Sequence, residues 1–178
     1  MCFLLNGCVS GVESATPLPI VRMTMSSMEL LPLEHPENSK GEAEGAIKGT
    51  ITNLQTGKEY PFLASWIYRD EQQGTLRFHG TMTDPEAPGK QVAVGVQFSQ
   101  KNAPSGTYPF DDPQVLHLSY TKYGEGDKPT VYFKAITGEI VLHNSYPQQP
   151  IDGGLSFTTE THGGDHYRVK VTFDIEAF

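Results

Sequence analysis

The sequence predicts an all-β fold, an antiparallel β-sandwich or barrel-like domain with about nine strands. Three observations predict it. From residue 45 onward, apolar and polar residues alternate with a period of two. Turn signals rich in Gly, Pro, Asn and Asp recur about every 8–12 residues. No segment after residue 45 carries an apolar stripe of helical spacing over about ten residues. Alternation gives each strand one dry and one wet face, the pattern of antiparallel rather than parallel sheets.

The elements follow in order. Ile47, Gly49 and Ile51 alternate with Lys48, Thr50 and Thr52, and Gln55-Thr56-Gly57 turns the chain. Tyr60, Phe62, Ala64, Trp66 and Tyr68 fall in one phase and read as one strand. Leu63 and Ile67, in the other phase, are apolar too, so this strand is expected to be central and covered on both sides. Leu76, Phe78, Gly80 and Met82 oppose Arg77, His79 and Thr81. After the turn Asp84-Pro85 to Pro88-Gly89, Val92, Val94, Val96 and Phe98 share a phase. Residues 99–114 hold three prolines and Gly106 and read mostly as loop. Strands follow on Leu116, Leu118 and Tyr120, on Val131, Phe133 and Ala135, and on Ile140 and Leu142 after Gly138. A Pro-rich loop spans 144–153, and Leu155 and Phe157 mark a short strand. His162-Gly163-Gly164-Asp165 reads as a hairpin turn. The clearest strand is last: Tyr167, Val169, Val171, Phe173 and Ile175 alternate with Arg168, Lys170, Thr172, Asp174 and Glu176.

Residues 20–178 are expected to form this single domain, with its core in 45–178. Within it, Ile20–Met25 alternates as a first strand would, Ser26–Leu31 reads as strand or one helical turn, and 34–44 reads as loop. Residues 1–19 read as a signal remnant or flexible tether.

Composition narrows the function. The chain has 178 residues, 13 Lys and Arg against 21 Asp and Glu, and a net charge of −8. No two basic residues are adjacent, so there is no footprint for nucleic acid, which needs clustered cations to neutralise phosphates. No apolar run reaches the ~20 residues of a spanning helix. The two cysteines, Cys2 and Cys8, both precede residue 10, which excludes a disulfide scaffold and a Cys-rich zinc site.

Leu5-Asn6-Gly7-Cys8 resembles a lipobox: an apolar residue, a variable one, a small one, then the Cys that takes the lipid. The pattern implies lipidation at Cys8, which makes an anchor the only expected membrane contact. The expected location is then the cell envelope, periplasmic or at the outer membrane; without processing it is cytoplasmic.

The region 45–178 resembles small all-β domains of bacterial envelope lipoproteins. The likeness rests on Gly138-Glu139-Ile140, Gly153-Gly154-Leu155-Ser156-Phe157 and Val169-Lys170-Val171-Thr172-Phe173, in that order. It implies a fold and an envelope location, and brings no activity with it.

Two side-chain sets invite chemistry. His162, Asp165 and His166 offer two imidazoles and a carboxylate to a metal, although a tight hairpin would also leave them in water. Tyr60, Trp66 and Tyr68 offer rings for stacking a glycan or small ligand, although the same rings serve as core. His79, His117 and His143 fall in polar phases and are expected to face solvent. Asp111-Asp112 and Gly124-Glu125-Gly126-Asp127 lack the ligand spacing of a calcium loop. No nucleophile elbow, His-Glu-x-x-His, P-loop or Gly-x-Gly-x-x-Gly occurs. The expected protein is therefore a non-enzymatic structural or binding component of the bacterial cell envelope, with no cofactor, whose partner is a protein or small ligand. The alternatives are a small-ligand or glycan-binding module and a metal-assisted enzyme acting through His162 and His166.

Overall fold

Tyr167–Ile175, the most regular alternation in the sequence, is also the most regular strand, with every odd residue buried and every even one exposed. The structure, a computed structural model, describes residues 42–176 except Gln149. Cys8 and its lipobox-like segment, the tether over 1–19 and the strand or helical turn over 20–31 lie outside the described residues.

The described residues form ten strands: β1 (Gly45–Asn53), β2 (Glu59–Leu63), β3 (Trp66–Asp70), β4 (Leu76–Thr83), β5 (Gln91–Phe98), β6 (Gly106–Pro109), β7 (Val115–Lys122), β8 (Val131–Asn144), β9 (Ile151–Thr159) and β10 (Tyr167–Ile175). All pairings are antiparallel, and nine strands form one path, β2-β1-β10-β9-β8-β7-β5-β4-β3, with β6 added beside β8. The path curls into a barrel-like shell. Its two ends, β2 and β3, are consecutive in the chain. Ala64 N donates to Ile47 O (2.9 Å) and Ser65 N to Thr81 O (2.8 Å), which carry the β1–β2 and β3–β4 pairings into the corner between them, and the stretch before β1 meets β3 through Ala43 N to Ile67 O (3.0 Å) and a Glu42–Tyr68 bridge. These contacts cover part of the edge that β3 would otherwise leave unpaired.

The interior holds one core that draws on nearly every strand, from Ile47 and Ile51 through Phe78, Val94, Val96 and Leu118 to Val169 and Phe173. Phe78 and Phe173 meet across it at 4.6 Å between ring centres. Burial of such a side chain contributes about 1.5–3 kcal/mol. The end opposite β10's first residue is tied by the β5–β6 loop: Lys101 N donates to Gly74 O (2.7 Å), and Asn144 Nδ2 to Lys101 O (3.2 Å) and Ala103 O (3.0 Å).

Four expectations are corrected. The stripe from Tyr60 to Tyr68 is two strands rather than one: Phe62 of β2 and Ile67 of β3 both join the core, so the inward phase slips at the Ala64-Ser65 corner. Residues 131–144 form one strand, because a register shift between Ala135 and Thr137 absorbs Ile136. Gly138 lies within that strand at φ +122°, where an added Cβ would sit 2.2 Å from Ser156 O, so glycine serves close approach there and not a turn. The segment 99–114 contains β6, which pairs Gly106–Pro109 with Leu142–Glu139. The 144–153 loop is shorter than expected, since β9 starts at Ile151.

Candidate functional site

The functional candidate is the end of the shell where β1, β4, β7 and β9 finish and β2, β5, β8 and β10 begin. Below this mouth lies an aromatic floor. Tyr120 and Tyr167 are 4.6 Å apart, Phe133 and Tyr167 5.0 Å, and all three rings are buried. Above the floor, polar residues continue the inward phases at the strand ends: Asn53 follows Ile51, and Lys122 follows Tyr120.

The β4–β5 loop bends over this mouth. Its backbone closes on itself through Asp84 N to Lys90 O (2.8 Å) and Lys90 N to Ala87 O (3.0 Å). Asp84 Oδ1 accepts from Glu86 N (2.8 Å), an Asx turn that fixes the bend. The loop delivers the Glu86 carboxylate to four donors. Oε1 accepts from Asn53 Nδ2 (2.9 Å) and Tyr60 Oη (3.4 Å), and Oε2 accepts from Lys122 Nζ (2.6 Å) and Tyr167 Oη (2.9 Å). Lys122 Nζ also lies 3.7 Å from Asp84 Oδ2 and 5.0 Å from the centre of the Tyr167 ring.

The electrostatics follow from this crowding. Burial pushes the Glu86 carboxyl up, but hydrogen bonds from Lys122, Asn53 and Tyr167 and the Lys122 charge outweigh it, holding the carboxyl below its ordinary value. Burial and then the bond to Glu86 raise the Tyr167 phenol. Burial, with the charges of Asp84 and Glu86, raises the Tyr120 phenol well above its ordinary value. Both phenols stay protonated, Tyr167 donates to Glu86, and the mouth as built receives a carboxylate.

A second polar assembly occupies the outer face of β3, β4, β5 and β7. The ladders align it in three rows: Asp70, Arg77, Gln97 and His117; Tyr68, His79, Gly95 and Ser119; Trp66, Thr81, Ala93 and Thr121. Arg77 is paired with Asp70 and also donates to Tyr68 Oη (3.0 Å), while Tyr68 donates to Asp70. Burial lowers the Arg77 pKa, and the bond and charge of Asp70 overcome this to give a net rise. Tyr68 stacks on His79 at 5.0 Å. His117 Nε2 lies 2.7 Å from Ser119 Oγ, itself 3.1 Å from Thr121 Oγ1. Ser119 is fully buried. A shallow cavity of about 200 Å³ opens beside His117, lined by Phe110, Val115, Leu116 and Lys134.

The residues singled out in the sequence are distributed as follows. Tyr60 is at the mouth, on Glu86. Trp66 and Tyr68 are on the outer face, 5.7 Å apart, so the three rings form no common platform. His162 and Asp165 close a two-residue turn through His162 N to Asp165 O (2.9 Å) and Asp165 N to His162 O (3.1 Å), with Gly163 and Gly164 at positive φ. The His162 ring stands edge-on to Phe133, and Asp165 Oδ1 takes a long bond from Asn53 Nδ2 (3.3 Å). Among the described residues no group of three or more His, Cys, Asp or Glu side chains is gathered to hold a metal. His79 is buried, not solvent-facing, with its ladder partner Tyr68 stacked on it and Trp66 packed beside it. His143 does face solvent and pairs with Asp152 at 2.6 Å.

Glu86, Lys122 and Asn53 are the residues that sequence reading missed. Two of them carried a signal: Asn53 and Lys122 put polar groups on an otherwise dry phase at a strand end. Among the described residues no helix is long and apolar enough to cross a membrane. The chain matches no protein-family model, and neither a curated protein nor a solved structure is detectably similar to it.

Proposed function

We propose that the protein is a non-catalytic binding module of the bacterial cell envelope, anchored through Cys8, that takes a small ligand at the barrel mouth. The observation that carries the binding reading is the convergence of Asn53, Tyr60, Lys122 and Tyr167 donors on one point at the end of the shell. Mouths of β-barrels are preferred ligand sites because strand ends supply polar groups above an apolar floor. Tyr120, Phe133 and Tyr167 are that floor.

The non-catalytic reading is supported by the one base–hydroxyl pair described above. Ser119 has no exposed surface, so no substrate carbon can reach its oxygen within attack distance of about 3–3.5 Å. The envelope reading is supported by Leu5-Asn6-Gly7-Cys8 and by the resemblance of residues 45–178 to envelope lipoprotein domains.

Two measurements test the proposal. A panel of small organic molecules is titrated into isotopically labelled protein, with backbone amide shifts followed by NMR. Shifts clustered on residues 53, 60, 84–90, 122 and 167 are expected; shifts only elsewhere, or none across the panel, overturn the binding site. Intact mass of the protein from its native host, beside Cys8→Ser, tests the anchor. Lipid mass that disappears in the variant is expected, and an unmodified Cys8 overturns it.

A further inference from the structure

We propose that the ligand of this mouth is a small organic monocarboxylate, and that Glu86 is a built-in stand-in for it. The inference rests on the binding reading above and gives that site its chemical class.

The argument starts from what Glu86 is held by. Its two oxygens take four donors from four different strands, β1, β2, β7 and β10, while Glu86 itself sits on a loop. The donors therefore belong to the strands and the carboxylate to a connecting loop. Three donors are neutral and one is cationic. Asn53 is further fixed by accepting Gln55 N (3.0 Å) and Thr56 N (3.2 Å) at Oδ1, which orients its amide toward the mouth. Tyr167 is fully buried and packed between Tyr120 and Phe133, so its hydroxyl direction is set by the core. Asn53 and Tyr167 are thus held in place by contacts other than those to Glu86.

The surroundings narrow the ligand class. Asp84 and Asp165 border the receptor, and Lys122 is its only cation among the described residues. Two carboxylates beside one ammonium repel a dianion such as sulfate or phosphate. They leave room for a single delocalised charge that can spread over four hydrogen bonds. A carboxylate with a short apolar body meets these conditions, since the atoms below Glu86 are aromatic.

A loop carboxylate tethered at the site competes at high effective concentration, so the free ligand binds by displacing Glu86 and lifting the 84–90 loop. Truncation to alanine removes the equivalent of one acetate ion from the side chain, which defines the test.

Glu86→Ala is unfolded thermally in sodium acetate, in acetamide and in sodium chloride at matched pH and ionic strength, with the wild type alongside. At about 0.2 M acetate the variant's midpoint should rise over chloride by roughly 2–6 °C more than the wild type's does, while acetamide leaves it unmoved. If acetamide stabilises the variant as well as acetate does, the carboxylate class is overturned and the mouth survives as a binding site. If neither acts, the receptor is overturned, and the wild-type NMR panel judges the mouth separately. Glu86→Ser empties the same space with a polar side chain on the loop and covers the case in which the alanine variant does not fold in any buffer. Its midpoint should respond to acetate over chloride in the same direction, and indifference to acetate overturns the proposal.

Discussion

Tyr167 Oη donates to Glu86 Oε2 at 2.9 Å, and this bond joins the first residue of β10 to the loop between β4 and β5. The two residues are 81 positions apart. The donor is rooted in the core and the acceptor is charged, so the bond belongs to the stronger class, about 1.5–3 kcal/mol. Tyr167→Phe keeps the ring packing and deletes only the hydroxyl. It should lower unfolding free energy by about 2 kcal/mol with an unchanged denaturant slope. Tyr60→Phe, which removes a 3.4 Å bond from a partly exposed ring, should cost clearly less than Tyr167→Phe. Equal costs in urea melts would show that the loop is not held chiefly from β10.

The same carboxylate gives the protein an acid-sensitive element. Glu86's folded pKa lies below its unfolded one, so its contribution to stability is complete above the unfolded value, about 4.3, and is lost as pH falls through the folded value. Stability of the wild type should therefore fall more steeply than that of Glu86→Gln as pH drops from about 5 to about 3. Urea midpoints across that range check it. Parallel curves for the two proteins would mean that the Glu86 bonds form no more readily with carboxylate than with amide.

His117 acts in an adjacent window by a different route. Burial, then the charges of Lys134 and Arg77, lower its pKa from 6.5 to about 4. The folded protein holds the neutral ring, so the unfolded chain takes up a proton first as pH falls. The contribution is whole above pH 6.5 and is lost on the way down to about 4. Its size is about 2 kcal/mol once the half-buried position of the ring is allowed for. NMR titration of the His117 ring should show a midpoint near 4, and His117→Gln should flatten stability between pH 6.5 and 4. A ring titrating at its ordinary value would remove this account.

The shell was legible wherever one strand face is dry and the other wetter, as in β10 or around Ile47 and Ile51 of β1. It was not legible at its two irregular places. Aromatics continue through Ala64-Ser65, so the apolar pattern runs on while the backbone turns a corner and the inward phase slips from Phe62 to Ile67. Gly138 looks like punctuation in a sequence, but here it allows β8 to pass against Ser156 without a break. His79 was read as wet because polar phases usually are, yet its strand's outer face is buried. The mouth was hardest to see. Asn53, Tyr60, Glu86, Lys122 and Tyr167 belong to five separate stretches of chain, and only strand order brings them together. Local periodicity carries no information about that meeting.

Gln97 supplies the last test. It stands between Arg77 and His117 in the outermost row of the outer face, and both its Nε2 and Oε1 are buried with no hydrogen-bond partner among the described residues. Two polar atoms removed from water without partners cost roughly 1–3 kcal/mol each, less whatever relaxation recovers. Methionine has a similar volume and flexibility and carries no group that demands a hydrogen bond. Gln97→Met should therefore raise stability by about 1–2 kcal/mol, a change rarely found among buried substitutions, most of which destabilise. Guanidinium unfolding of the two proteins measures it directly. A loss of more than about 1 kcal/mol would reverse the inference, since it would mean that the amide is satisfied in solution and that this row of the sheet takes a polar partner.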